Sequence, residues 1–318
     1  QVAVLLCVVI GLSMIYSGSS RRHTTILQHP SIQSTRAGCL GRIRAPSSGL
    51  RLASVTPVRS VSVGAKQTLY DIPVSNHGAR VRMLIYAKGI EDQINIESPA
   101  ALGGMKSDGF KAISPLGKMP VLTLDDTTVS ALPESTVILR YLESMYPTPS
   151  LTPSTPVGRA RSDLFAQIVD SYITPIQGCM YRGPMDASLR ADQLKSVKSY
   201  LDFLEHLLSD PKAPGADTPA ADGPFCAGSK PSLGDLVAYP TFVFIDYMLP
   251  KKFGWKDVFE TRPGLARWWD AMNHWEPASR VGDEVTEALI SWDNDGRWER
   301  VGIEEQVKTS TNLQWSFD

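Results

Sequence analysis

Apolar positions change their spacing repeatedly along the 318 residues, and each change marks a different kind of segment. Residues 2–15 (Val-Ala-Val-Leu-Leu-Cys-Val-Val-Ile-Gly-Leu-Ser-Met-Ile) form an apolar run closed by the small residues Ser17, Gly18, Ser19 and Ser20. A membrane-crossing helix needs about 20 apolar residues, so this run is closer to the core of a secretory signal. Much later, Thr68–Ile72 reads as a strand ended by Pro73, and after the polar turn Ser75-Asn76-His77-Gly78 the positions Val81, Leu84 and Ile85 share one face of a helix. Gln93–Ile96 suits a second strand, and Gly103-Gly104 with Lys106-Ser107 opens a short helix ending near Ile113. Residues 119–124, the Asp125-Asp126 turn and residues 127–130 read as a hairpin. A helix from Glu134 carries Val137, Ile138, Tyr141, Leu142 and Met145 at helical spacing. The order β-α-β-α-β-β-α over residues 67–146 describes an α/β domain of ordinary size.

Pro147, Pro149, Pro153 and Pro156 mark residues 146–156 as a linker, and the rest is helical in pattern. Leu164, Ile168 and Tyr172 fit one helix, and Leu194, Val197, Leu201, Leu204 and Leu208 fit the next. Asp210–Pro224, rich in Pro, Ala and Asp, is a loop. Ser232-Leu233-Gly234-Asp235 has the hydroxyl and carboxylate spacing of a helix-capping box, and Pro240 in the helix that follows predicts a kink. Arg262–Met272 supplies another helix. The helical domain is placed at 157–290 and a C-terminal extension at 291–318, with the sequence from about His274 onward polar and dotted with Trp.

Charge divides the chain more sharply than composition does. The 32 Lys and Arg against 33 Asp and Glu sum to −1, but the first acidic residue is Asp71 and eight basic residues precede it. Without those eight, 24 basic groups face 33 acidic ones over residues 67–318, a net of −9. An acidic body excludes a polybasic nucleic-acid binder, and 42% hydrophobic residues exclude disorder. Residues 1–66, an apolar run followed by an Arg- and Ser-rich stretch free of acids, resemble the two-part presequence that carries proteins into the plastid of an alga with a secondary endosymbiont. A secretory route, or an anchor formed by residues 2–15, is the alternative. Cys7 and Cys39 fall in that segment, and Cys179 with Cys226 make no Cys-x-x-Cys pair, so structural disulfides are not expected.

Three places carry candidate chemistry. The turn Ser75-Asn76-His77-Gly78 opens a helix, where free amides and a partial positive charge favour an anion such as a thiolate. Ser75 either donates to that anion or merely caps the helix, Asn76 is an equally good cap, and His77 is either a base or a solvated turn residue. Met119-Pro120 precedes a strand. A cis bond there would turn backbone polar groups to a ligand, and the alternative is an ordinary edge-strand proline. Pro133-Glu134-Ser135 opens a helix whose hydroxyl and amides suit a carboxylate while Glu134 suits an ammonium, together the two charges of an α-amino acid. Asp293-Asn294-Asp295-Gly296 resembles part of a calcium loop but lacks its twelfth-position Glu, and reads as a turn. No metal-ligand cluster is apparent.

Taken in order, Leu69-Tyr70 through Ser75 with Arg80-Val81-Arg82, then Lys118-Met119-Pro120-Val121-Leu122, Pro133-Glu134-Ser135 and Ser232-Leu233-Gly234-Asp235 resemble the glutathione transferases of the serine type over roughly residues 67–290. The resemblance implies a thioredoxin-like domain followed by an all-α bundle, glutathione as co-substrate, a small hydrophobic electrophile as second substrate, a homodimer and no metal. It makes Ser75 the hydroxyl that stabilises the glutathione thiolate. The Met119 backbone beside Pro120 would pair with the cysteinyl part, Glu134 and Ser135 would hold the γ-glutamyl end, and Lys106 and Lys118 the glycine carboxylate. The electrophile is expected between the domains, against Tyr172, Met180, Tyr181 and Arg182. Ser114-Pro115 stands where the family often has Asn-Pro, a difference read as one of loop shape. A second functional class fits the same scaffold: a non-catalytic carrier or docking subunit, suggested by the Trp-containing extension.

Overall fold

The computed structural model describes residues 66–126, 128–210, 213 and 222–317. The presequence expected over residues 1–66 lies outside these apart from Lys66, as does most of the loop expected at Asp210–Pro224.

Four short strands form one mixed sheet in the order β2-β1-β3-β4: β1 is Gln67–Tyr70, β2 Ile94–Glu97, β3 Val121–Thr123 and β4 Ala131–Pro133. β2 runs parallel to β1, β3 antiparallel to β1, and β4 antiparallel to β3. Helices α1 (Asn76–Lys88), α2 (Asp108–Ile113) and α3 (Ser135–Met145) complete the α/β domain. The hairpin differs from expectation. Its second strand is residues 131–133 rather than 127–130, with Val121 opposite Pro133. Asp126 causes the shift: its Oδ1 accepts from the amides of Thr128 (2.6 Å) and Val129 (3.0 Å), a local turn that competes with strand pairing.

Ten residues after α3 the chain becomes helical: α4 (Pro156–Ile168), running into a wide π-helical turn at Val169–Ile173, then α5 (Ala187–Ser209), α6 (Leu233–Phe253) and α7 (Pro263–His274). Pro240, where a kink is expected, lies inside one continuous α6. The capping box forms as its spacing predicts: Asp235 Oδ2 accepts from the Ser232 amide at 2.7 Å, and Oδ1 takes the Cys226 amide and the Trp268 indole, each at 2.8 Å. The linker is held by Glu143, which pairs with Lys88 across the domain and accepts from the Leu151 amide at 2.9 Å.

The stretch after His274 is no polar tail. It folds into α8 (Glu276–Asn294), α9 (Arg297–Arg300) and α10 (Ile303–Thr309), and α8 runs through residue 290. Ala278, Val281, Val285 and Leu289 recur every three or four positions and are fully buried against α1 and α6. Helix α1 is therefore covered by α3 of its own domain and by α6 and α8 of the other. Arg82 donates to Glu284 at 2.8 Å and the Tyr86 hydroxyl donates to the same carboxylate at 2.8 Å, fastening the two domains together.

Candidate active site

Where the α/β domain meets the helical one lies a cavity of about 510 Å3. Ser75, Met119, Pro120, Glu134 and Ser135 line it from the first domain, with Lys118 at its rim. Each sits where a short element begins. Ser75 is the N-cap of α1, its Oγ accepting from the Gly78 amide at 3.0 Å. Met119-Pro120 is cis and leads directly into β3. Glu134 and Ser135 open α3, and Glu134 takes φ 71, the one positive value outside glycine among the described residues. Such a backbone costs about 1–3 kcal/mol and persists where the surroundings impose it, often at a functional site.

The Ser75 turn is held from behind by a buried charge. Arg82 Nη2 donates to the Pro73 carbonyl at 2.8 Å and Nη1 to that of Ile72 at 3.1 Å, while the same guanidinium pairs with Asp71. Burial pushes the Asp71 carboxyl up to about 6, against the opposing pull of Arg82, the Ile72 amide and the Ser75 hydroxyl. Gly78 is required here, because a Cβ at that position would stand 1.7 Å from Asp71 Oδ1. His77 also lines the cavity, and burial together with Arg80 pushes its imidazole down to about 4, so it is neutral near pH 7 and a poor proton acceptor. Arg80 itself is fully buried, paired with Asp170 of the helical domain at 2.7 Å and reaching Ser135 Oγ at 3.4 Å.

Ser114, read from the sequence only as a loop difference, shapes the proline turn. Its Oγ accepts from the Lys118 amide at 3.1 Å and donates to the Lys118 carbonyl at 2.7 Å, fixing the residue before Met119 by both backbone groups.

The opposite wall comes from the helical domain, and half of its lining residues are aromatic. Tyr181 lies 5.6 Å from the Phe244 ring and 5.9 Å from that of Trp292, and the Arg182 guanidinium stands 5.5 Å from the Tyr181 ring centre. Gln177 and Thr174 add polarity. Asn76 Nδ2 donates to Gln177 Oε1 at 2.8 Å and to Thr241 Oγ1 at 3.2 Å, while Gln177 Nε2 and Thr174 Oγ1 are buried with no protein partner. Groups of that kind need an acceptor or donor from whatever fills the cavity.

Of the residues singled out in the sequence, Ser75, Lys118, Met119, Pro120, Glu134, Ser135, Tyr181 and Arg182 are brought together, whereas Lys106, Tyr172 and Met180 are not. Lys106 is exposed beyond Met105, which takes the place on the wall. Tyr172 points outward from the π-helical turn onto Tyr200, their rings 5.4 Å apart. Met180 is fully buried behind Tyr181. Gln177, Phe244 and Trp292 were not anticipated. No shared motif marks them: they lie on three separate elements, and 115 positions separate Gln177 from Trp292. Cys179 and Cys226 are both free and buried, and burial raises both thiols, Cys179 to about 12, so neither is a nucleophile at neutral pH. Asp293, in the calcium-like sequence, is engaged by Lys252 at 2.6 Å and by the Tyr247 hydroxyl at 3.2 Å.

Comparison with known proteins bears on this geometry. A family model described as glutathione S-transferase, N-terminal domain, matches residues 69–150, and one described as glutathione S-transferase, C-terminal domain, matches residues 187–271. The chain is 27% identical to the maleylacetoacetate isomerase of Rattus norvegicus over 177 residues, which are 55% of this chain and 76% of that protein. It is 28% identical to a glutathione S-transferase of Triticum aestivum over 181 residues, 55% of this chain and 76% of the relative. Among solved structures, a holo maleyl pyruvate isomerase, described as a bacterial glutathione S-transferase of the zeta class, superposes with a TM-score of 0.53. That likeness covers 69% of this chain and 97% of the other at 24% identity, and speaks for the fold: a thioredoxin-like domain followed by a helical one.

Proposed function

The chain belongs to the glutathione S-transferase family of enzymes, and from that premise we propose that it binds glutathione along the α/β wall of the cavity and holds its sulfur as a thiolate beside Ser75. One observation carries the reading: three separate element starts, at Ser75, Met119-Pro120 and Glu134-Ser135, converge on one cavity with donors for carboxylates and an acceptor for an ammonium. Ser135 and the first amides of α3 receive the γ-glutamyl carboxylate, Glu134 the ammonium, and the Met119 backbone the cysteinyl part. Lys118 meets the glycine carboxylate, since Lys106 stands outside the cavity.

A hydrogen bond from Ser75 to the thiolate is worth about 1.5–3 kcal/mol, as for other bonds to charged groups, or about one to two pKa units. That moves an ordinary thiol from ~8.5 toward 7. Arg82 assists by holding the Ile72 and Pro73 carbonyls of the turn in place. The electrophile lies against Tyr181, Phe244 and Trp292 with Arg182 at its polar end. Similarity to maleylacetoacetate isomerases supports glutathione-dependent isomerisation of a cis-unsaturated acid as the reaction: the thiolate adds to one alkene carbon as the C=C pair moves onto the conjugated carbonyl, the former double bond, now single, rotates, and the returning pair re-forms C=C as the thiolate leaves. Glutathione is regenerated and atoms balance.

Retention of the full chain on immobilised glutathione, with a thiolate absorbance that Ser75→Ala abolishes, is the expected result; turnover falls by one to two orders of magnitude. Failure of the unaltered chain to retain glutathione overturns the reading and favours the carrier class. A homodimer belongs to the same proposal, supported by Val137 and Met145, exposed large apolar side chains on one face of α3, and light scattering at twice the chain mass is the check. The address reading of residues 1–66 is likewise proposed; a reporter fused to them should reach the plastid rather than the medium or a membrane.

A further inference from the structure

The residues that follow α8 take no part in the site as drawn, yet they are built against the back of its aromatic wall. Trp298 of α9 is 1% exposed, and its indole N–H donates to the Met180 carbonyl at 2.9 Å, immediately before Tyr181. Arg190 donates to the carbonyls of Cys179 and, at 3.0 Å, of Arg182, so the backbone is gripped on both sides of Tyr181. Gln306 of α10 in turn steadies Arg190, accepting from its Nε at 2.8 Å. Close packing completes the contact: a Cβ on Gly183 would stand 2.1 Å from the Val301 carbonyl oxygen. Trp292, on the cavity wall, lies 5.9 Å from Tyr181 and 6.4 Å from Trp298, with the Arg297 guanidinium 3.9 Å from its ring centre. Lys252 ties the same region down, meeting Asp293 at 2.6 Å and Glu304 at 2.9 Å.

We propose that Trp292 is a specificity-determining residue for the second substrate, and that residues 295–309 form a strap whose Trp298 and Gln306 act as positioning residues for Tyr181 and Trp292. The proposal rests on the reading of the cavity as a glutathione site. Glutathione meets the α/β wall, which the strap does not touch, whereas a group attached to its sulfur reaches the aromatic wall, which the strap supports. The strap therefore acts on the second substrate and leaves the first alone.

Two probes separate these effects: glutathione itself, and S-hexylglutathione, whose alkyl chain extends from the sulfur toward Trp292. Isotherms are measured by calorimetry on the full chain, with circular dichroism confirming that each variant is folded. Trp292→Ala should lower S-hexylglutathione affinity about tenfold, the scale of losing one large apolar contact, and leave glutathione within about twofold. Trp298→Phe keeps a ring and loses only the indole donor, and Gln306→Ala loosens Arg190 from outside the cavity; each should lower S-hexylglutathione affinity about three- to fivefold with glutathione unchanged. Equal losses for both probes would mean that the strap is merely structural, and an unchanged ratio in folded Trp292→Ala would remove its specificity role; either overturns the proposal. If the unaltered chain binds neither probe, the glutathione reading fails first and the strap's role falls with it.

Discussion

The cavity's two walls are made of unlike material. On the α/β side the polar groups sit at element starts: a serine capping α1, a backbone turned by a cis proline, a glutamate and a serine opening α3. On the helical side three large rings come from separate elements, Tyr181 after a short turn, Phe244 in α6 and Trp292 in α8, beside the polar Thr174, Gln177 and Arg182. The first wall is set by rules local to a few residues, and its polar contents suit a ligand of fixed chemistry. The second is set by how distant helices pack, and its apolar contents tolerate a change of ligand.

The comparison can be broken hardest at Gly78. Alanine there meets the Asp71 carboxylate, whose side chain is fully buried and paired with Arg82. Displacing it uncouples a buried ion pair, at a cost of about 3–5 kcal/mol, and loosens the Ser75 turn. Gly78→Ala should accordingly lower the denaturant midpoint severely, whereas Asp71→Ala/Gly78→Ala should be no less stable than Asp71→Ala. A mild single variant would show that the turn is not locked from behind.

A smaller effect tests the link between the walls. Asn76 begins α1 on one side and donates to Gln177 and Thr241 on the other. Asn76→Ala leaves those buried acceptors unpaired, which costs about 1–3 kcal/mol. In a double-mutant cycle with Gln177→Ala the two changes should be clearly non-additive, by more than about 0.5 kcal/mol. Additivity would mean that the walls are independent.

The least of the three is a pH effect. His77 is held neutral, its pKa down at about 4 from an ordinary 6.5, so the unfolded chain binds the proton more readily and stability is lost as pH falls from 6.5 toward 4. Asp71 has the opposite sign. Its pKa stands up at about 6 from 3.8, so the folded chain holds the proton more readily and stability is lost as pH rises from 3.8 through 6. In the unaltered chain the two slopes largely cancel. His77→Gln removes one of them, and its stability relative to the parent should grow by about 1–2 kcal/mol between pH 7 and 4.5. Denaturant midpoints at the two pH values check this, and a constant gap would contradict it.

The same division explains what could be read from the sequence. Ser75, Met119-Pro120, Glu134-Ser135 and the Ser232/Asp235 box are short motifs whose geometry follows from helix ends and from proline, and the structure places each at the element start its spacing predicts. The course of the hairpin was not legible, because a single carboxylate, Asp126, decides where pairing resumes. Nor was Ser114, whose weight lies in two backbone bonds to Lys118 that no spacing rule announces. Helix α8 was legible but passed over: Ala278, Val281, Val285 and Leu289 keep helical spacing, masked by the charged residues between them. Trp292 and Phe244 could not be assigned to the cavity at all, since only the packing of α6 against α8 brings them near Tyr181.

Helix α1 packs on α3 of its own domain and on two helices of the other, the later of which begins at Glu276, 188 positions after Lys88. A ribosome adding ~5–20 residues per second needs roughly ten to forty seconds to cover that distance. Throughout that interval the first domain can close its sheet and form its helix starts, but the face of α1 that will carry Arg82 and Tyr86 to Glu284 has nothing to meet. The α/β domain is thus born with one side bare. Its solubility while still attached to the ribosome depends on a helix that has yet to be translated.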